Sequence, residues 1–418
     1  MSRDTAQPSV ASALHGNILV LTLDNPPVNA LGVEVRRGLL AAMDSAADDP
    51  TVAAILLVGA GRHFCGGADI REFGQTPQAP ALPAVVKRIE DSAKPVVAAI
   101  QGVALGGGLE VALAAHYRLA LGSARLGLPE VLLGLLPGAG GTQRLPRLIG
   151  ARAALELMLS GRHLNAREAL DLGVVDRLAE GEDTLAAGLA YARELVDSHA
   201  GVRRTRDARA LGDQHRQREQ INAAREQLTH KAKGLLSPQN IIRAVEAALD
   251  RPFDQGLEEE RRLFQECLDS PQRAGLVHAF FAEREVLKAP ETRIAQPRPI
   301  EQVAVVGGGT MGAGIAVSAL DAGLQVTMIE RDQQALDRGR GNVEKVYDGL
   351  IEKGRLDAAG KAATLARFRA SLDYQDLARA DLVIEAVFED MAAKQAVFKE
   401  LDRVCKPGAV LALSLIHI

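Results

Sequence analysis

The chain has 418 residues, of which 47% are hydrophobic, 24% charged and 3% aromatic, with a net charge of −4 and no Trp. That length exceeds what one core supports, so two or three folding units are expected, with the composition of a globular rather than a disordered protein. The same balance excludes the basic, aromatic footprint of a nucleic-acid binder, and the longest apolar runs are strand-sized, far short of a bilayer span.

At the N-terminus, MSRDTAQPSV lacks the apolar core of a secretory signal, and Cys65, Cys267 and Cys405 are too few and too scattered for a disulfide framework, so a reducing, cytoplasmic location is expected. From Ile18 to about Gly173, short β-branched runs alternate with Ala/Leu-rich segments of helical period. This is the pattern of an α/β unit with largely buried strands, ILVLTL, VAAILLVG and KPVVAAIQG being the clearest of them. The segment NAREALDLG carries an Asn N-cap at 165, Glu168 three residues later and a stop at Gly173, so it is predicted as a helix, with a strand-like VVD after it. From about Arg193 to Lys288 the sequence turns polar and helical, and stretches such as VRRTRDARALGDQHRQREQ and EEERRLFQECL read as solvated helix faces. KAPETRIAQPRP, with Pro290, Pro297 and Pro299, reads as an extended linker. EQVAVVGGGTMGAGIAVSALDAGLQVTMIERD then runs strand, Gly-rich turn, helix, strand, and no internal repeat relates it to the first half. The expected division is 1–192, an α/β domain; 193–299, a helical segment and linker; and 300–418, a second and unrelated α/β domain.

Three glycine-dense segments lie within Arg62–Arg144: RHFCGGADI, QGVALGGGLEVALA and LPEVLLGLLPGAGGTQRL. Glycines let a backbone approach a ligand and aim bare N–H groups at a developing oxyanion. Gly106, Gly107 and Gly108 lead into a helix whose first amides add partial positive charge, so Gly107 is the leading donor. Glu110, three residues on, presents its carboxylate on the same side. Taken singly, a Gly-rich loop is more often a tight turn, and a Glu in a helix's first turn is more often a dipole partner. Asp69 is expected to be a structural or capping carboxylate, and Cys65 a packed thiol.

Together the segments resemble the crotonase (enoyl-CoA hydratase/isomerase) superfamily from about Asn17 to Asp176, with GAGGTQRL intact at Gly138–Leu145. The resemblance implies a ββα spiral domain acting on coenzyme A thioesters, with an oxyanion hole from the Ala68 and Gly107 amides and two catalytic glutamates, Glu110 and Glu130. Having both glutamates favours hydration of trans-2-enoyl-CoA to 3-hydroxyacyl-CoA, a chemistry that needs a base on water and an acid at Cα but no metal. Which glutamate plays which part is left open by the spacing. A Δ3,Δ2-enoyl-CoA isomerase using the same pocket, and a non-catalytic acyl-CoA- or NAD-binding fragment, are the alternatives.

In the last third, Gly307, Gly309 and Gly312 of GGGTMG fit G-x-G-x-x-G between a strand and a helix, with Glu330 at the spacing of a ribose-binding acid, which favours NAD. This part resembles the NAD-binding Rossmann domain of 3-hydroxyacyl-CoA dehydrogenases as far as DLVIEAVFEDMAAKQAVF. The resemblance adds Thr310, Met311, Ala386, Glu389 and Lys394 to the cofactor site. The order of the two halves resembles the multifunctional fatty-acid β-oxidation proteins, for which a thiolase subunit is a candidate partner. KPGAVLALSLIHI departs from the family after Ala412, so the Rossmann domain is expected to be incomplete, truncated at its C-terminus, with His417 matching no family position.

Overall fold

The computed structural model describes residues 9–72, 75–76, 78–231, 234–289 and 295–413, and the chain divides into two compact units at residues 289 and 290. The core of the first unit is a six-stranded sheet in the order β1-β2-β3-β4-β6-β9, formed by β1 (Val10–His15), β2 (Ile18–Leu23), β3 (Ala54–Gly59), β4 (Val96–Ile100), β6 (Tyr117–Leu121) and β9 (Arg177–Ala179). Only β1 is antiparallel to its neighbour. A smaller sheet joins β5 (Val103–Leu105), β7 (Arg125–Gly127) and β8 (Leu164–Asn165).

The period-2 alternation explains why β3 reads as one apolar run. Ile55 and Leu57 enter the core on one face, while Ala54, Leu56 and Val58 enter a second core on the other. The Thr184–Asp197 helix covers that second face, approaching so closely at Gly188 that a Cβ there would lie 2.8 Å from Leu56 Cδ1. The 165–173 prediction holds: the helix runs Ala166–Leu172, Asn165 Oδ1 accepts from Glu168 N at 2.8 Å, and Gly173 takes a positive φ of 82°. The strand expected at VVD instead starts at Arg177; Val174 and Val175 are core residues and Asp176 N donates to Arg118 O at 2.9 Å.

Two sequence readings need correcting. The segment after residue 192 is not separate from the first domain, because Ile221, Ile241, Ile242, Val245, Leu263 and Cys267 share the main core. Thr205 Oγ1 donates to Leu113 O at 2.6 Å, and Arg206 and Arg144 flank the fully buried Glu90 at 2.9 and 2.7 Å. EEERRLFQECL is likewise not a wholly solvated face: in the Phe253–Leu268 helix, Gly256, Glu260, Leu263 and Cys267 form a buried stripe at spacings of four, three and four. The expected linker lies partly on residues 290–294, outside the described residues, as do 414–418 of the divergent tail.

The second unit is a five-stranded parallel sheet, β12-β11-β10-β13-β14, from β10 (Gln302–Val306), β11 (Gln325–Ile329), β12 (Phe368–Ser371), β13 (Leu382–Glu385) and β14 (Val410–Ala412). Cores lie on both faces, with Val305 in one and Ala304 and Val306 in the other. The strand order reverses at β10, which makes its C-terminal end a crevice for ligands. Among the described residues no helix is long and apolar enough to cross a membrane.

Candidate functional site

In the first unit the site is built where β5 turns into the Gly107–Ala114 helix. Gly106 makes that turn with a φ of 51°, which only glycine adopts readily, and a Cβ there would stand 3.1 Å from Glu130 Oε1. The preceding segment lies alongside: Leu105 N donates to Cys65 O at 3.0 Å, and a Cβ on Gly107 would lie 3.5 Å from Ala68 N. Gly107 is the first residue of its helix, so its amide has no intrahelical acceptor. Among the described residues neither that amide nor the Ala68 amide is donated to the protein.

Glu110 is buried, and its Oε1 accepts from Ala139 N at 2.7 Å and Gly141 N at 2.8 Å. Those amides open the Gly141–Ile149 helix, whose N-terminal partial charge favours a carboxylate. The two amides that alternate with them go to a carboxylate that the sequence reasoning missed. Gly140 N donates to Glu260 Oε1 at 2.7 Å; Thr142 donates to Oε2 from its N at 3.0 Å and from its hydroxyl at 2.5 Å. Glu260 is 2% exposed. The stripe Gly256, Glu260, Leu263, Cys267 was the signal that could have found it, since a glutamate centred in an apolar helical face is not a solvated one.

Glu130, in the 3-10 turn Glu130–Leu133, has a buried Oε2 with no hydrogen-bond partner among the described residues. Burial pushes its proton affinity well above the carboxylate range, and the charges of Glu110 and Glu260 add to that. Burial also raises Glu110, opposed by the Ala139 and Gly141 amides and by Arg144. Glu260 is pushed up to about 8 by burial and by Glu110, opposed by its Thr142 and Gly140 hydrogen bonds. The geometry thus gives one carboxyl with an unpartnered oxygen and one pinned by two amides, beside two N–H groups that donate to nothing among the described residues. Such a set can donate a proton, accept a proton and stabilise an oxyanion.

The remaining candidates fall outside this set. Asp69 is held by the Arg71 guanidinium, 2.7 Å away, which lowers its pKa, so it is structural. Cys65 is packed beneath Gly108, and burial pushes its thiol up to about 12, far from a reactive thiolate.

In the second unit, Gly307–Gly309 follow β10, and Thr310 and Met311 open the Thr310–Asp321 helix, whose N-cap is Gly309, without a capping side group. Gly312 must be glycine because a Cβ would fall 1.8 Å from the Gly307 carbonyl oxygen. At Gly309 nothing lies within 4 Å of a Cβ position, which leaves space for a phosphate. Glu330 follows β11 and accepts from Gly308 N at 2.6 Å. Ala386 N donates to Val306 O at 2.8 Å, and its carbonyl oxygen lies 2.5 Å from a Cβ position on Gly307, so the β13 loop borders the Gly-rich turn. Lys394 is buried, 2.8 Å from Glu385 and 3.5 Å from Glu389. These donors, the open helix start and the close turn fit a dinucleotide.

The family model for Enoyl-CoA hydratase/isomerase matches residues 14–237, and that for the 3-hydroxyacyl-CoA dehydrogenase NAD binding domain matches 302–415. Among curated relatives, a peroxisomal bifunctional enzyme of Danio rerio is 44% identical over 405 residues, covering 94% of this chain and 55% of the relative. The Homo sapiens protein of the same name is 39% identical over 409 residues, covering 95% and 55%. The chain therefore spans about half the length of the curated relatives it matches. Among solved structures, a carnitinyl-CoA hydratase from Mycobacterium avium aligns with a TM-score of 0.51 and 29% identity, over 66% of this chain and 97% of that one. An enoyl-CoA hydratase/isomerase from Pseudoalteromonas atlantica aligns with a TM-score of 0.50 and 26% identity, over 66% and 97%. With a family match over more than half its length, this chain belongs to the enoyl-CoA hydratase/isomerase family, followed in the same polypeptide by a 3-hydroxyacyl-CoA dehydrogenase NAD binding domain.

Proposed function

We propose that the first unit adds water to trans-2-enoyl-CoA thioesters in fatty-acid β-oxidation, giving 3-hydroxyacyl-CoA by syn hydration. The observation that carries this is the buried Glu110 carboxylate and the buried Oε2 of Glu130 beside the Ala68 and Gly107 amides, which donate to nothing among the described residues. Glu110, whose charged form two amides support, is the base that takes a proton from water as its oxygen bonds to Cβ. The π electrons move onto the thioester oxygen, where the Ala68 and Gly107 N–H groups stabilise the enolate. Glu130, whose proton affinity burial raises, then delivers its proton to Cα. Purified protein should deplete the enoyl absorbance of crotonyl-CoA and yield the 3-hydroxy product; no depletion refutes the reading.

The rate should rise with pH as Glu110 ionises and fall as Glu130 ionises. Both limbs should lie above the ordinary carboxylate value of about 4.3, because burial raises both groups. A profile with no limb above about pH 4.3 would remove the acid–base pair.

For the second unit, Gly307, Gly309, Thr310, Met311 and Gly312 would hold the NAD pyrophosphate and Glu330 the ribose, and Ala386, Glu389 and Lys394 would also line the cofactor. NAD when bound supplies a hydride acceptor for the 3-hydroxyl carbon. Gly312→Ala should weaken NAD binding at least about tenfold, because its Cβ would displace the Gly307 carbonyl. Calorimetric titration checks this, and an unchanged affinity would reject the cradle.

A thiolase subunit is the partner that would consume the oxidised product, with co-purification as its test. The three unpaired cysteines favour a reducing compartment, the cytoplasm in our reading. Curated relatives are named peroxisomal and glyoxysomal, so cell fractionation decides between these locations.

A further inference from the structure

We propose that Glu260 is a positioning residue for hydration: by binding Gly140 and Thr142 it fixes the loop whose intervening amides, Ala139 and Gly141, orient the Glu110 carboxylate. This rests on the hydratase reading of Glu110 and Glu130. The interleaving is the key observation. Four successive amides, 139 to 142, go alternately to Glu110, Glu260, Glu110 and Glu260. No rotation of this helix start can lengthen one set of bonds without disturbing the other.

Glu260 has the right chemistry for the post. Its two oxygens accept three donors, two N–H groups and the Thr142 hydroxyl; each oxygen keeps a lone pair for them in either protonation state, and the set is met in full as Glu260 ionises. Glutamine offers one acceptor oxygen and would turn an NH₂ toward one of these donors. The charged groups facing Glu260 are Glu110 from the Gly107–Ala114 helix, Glu130 from its 3-10 turn and Arg144 from the Gly141–Ile149 helix. Arg144 is itself bound to Glu90 at 2.7 Å and to the Ala139 carbonyl at 3.1 Å, so the loop is held from both sides. When ionised, Glu260 also places a second negative charge near Glu130 and helps it keep its proton.

The test compares wild type, E260Q, E260D and T142V in the full-length protein, with kcat, KM, pH profile and amide hydrogen exchange at 139–142. E260Q should lower kcat by about tenfold to a hundredfold, the scale of a small misplacement of a reacting group, with KM nearly unchanged. Its alkaline limb should move to lower pH, because the like charge beside Glu130 is gone. E260D should recover part of kcat. Exchange at 139–142 should quicken at least about tenfold. T142V, which keeps the side-chain shape but removes one donor, should shift the same quantities less, and it carries the test if E260Q does not fold. Wild-type kcat, unmoved pH limbs and protected amides in folded E260Q, or in T142V standing in for it, would overturn the proposal. A loss of kcat that only follows loss of folded protein would also overturn it. If wild type itself leaves crotonyl-CoA unchanged, the hydratase reading fails, while exchange at 139–142 still reports on whether Glu260 holds the loop.

Discussion

Replacing either Glu130 or Glu110 with glutamine should lower turnover of crotonyl-CoA by at least about a hundredfold, the usual scale of a lost general acid or base. The two substitutions test different halves of the mechanism. At 130 the carboxyl touches no donor through its buried Oε2, and the charges of Glu110 and Glu260 oppose its ionisation. Glu130→Gln therefore removes a deliverable proton without breaking a hydrogen bond through that atom, so the fold and melting temperature should be retained. At 110 a glutamine oxygen can still accept from Ala139 and Gly141, but it cannot take a proton from water. Crotonyl-CoA turnover, read beside circular dichroism, checks both. A folded variant with near wild-type turnover would show that its glutamate does no acid–base work.

Gly107→Pro should abolish turnover, a loss of at least about a hundredfold to a thousandfold for one oxyanion donor. The substitution removes the N–H and little else from the backbone. Gly107 is the first residue of its helix, the position where proline is best tolerated, because no intrahelical bond is lost there. The cost to packing is a new Cβ directed at Leu82 Cδ2, 2.7 Å away, and Leu31 Cδ1, 3.3 Å away. Gly107→Ala brings the same Cβ while keeping the amide, so it should retain activity well above the proline variant. Equal loss in the two variants would mean that crowding against Leu82, not the missing donor, is responsible.

Much of this site was legible in the sequence itself because its parts are local. Gly106, Gly107 and Glu110 sit together at one helix start, and the Gly307–Gly312 turn is bounded by its own strand and helix, whereas Ala68 and Glu130 entered only through the family resemblance. The Asn165 cap and Gly173 stop were readable for the same reason: capping is chemistry between residues a few positions apart. What escaped was non-local. Glu260 lies 118 positions from Thr142, in a stretch of charged residues where an exposed face outweighs a four-residue buried stripe by simple count. The boundary at residue 192 failed likewise, because polar helices such as Gln214–Lys231 hide single core anchors like Ile221. No local pattern reports that a distant carboxylate caps a helix whose own N-cap is glycine.

The alternating capture of residues 139 to 142 also has an order in time. A ribosome releases Glu110 and its two amides early, yet Gly140 and Thr142 have no acceptor until residue 260 has emerged. Until the Phe253–Leu268 helix docks, the start of the Gly141–Ile149 helix holds two uncapped amides beside a half-ordered carboxylate. The nascent polypeptide can therefore acquire its sheet before it acquires a competent centre, and chemistry waits on late long-range closures of the unit.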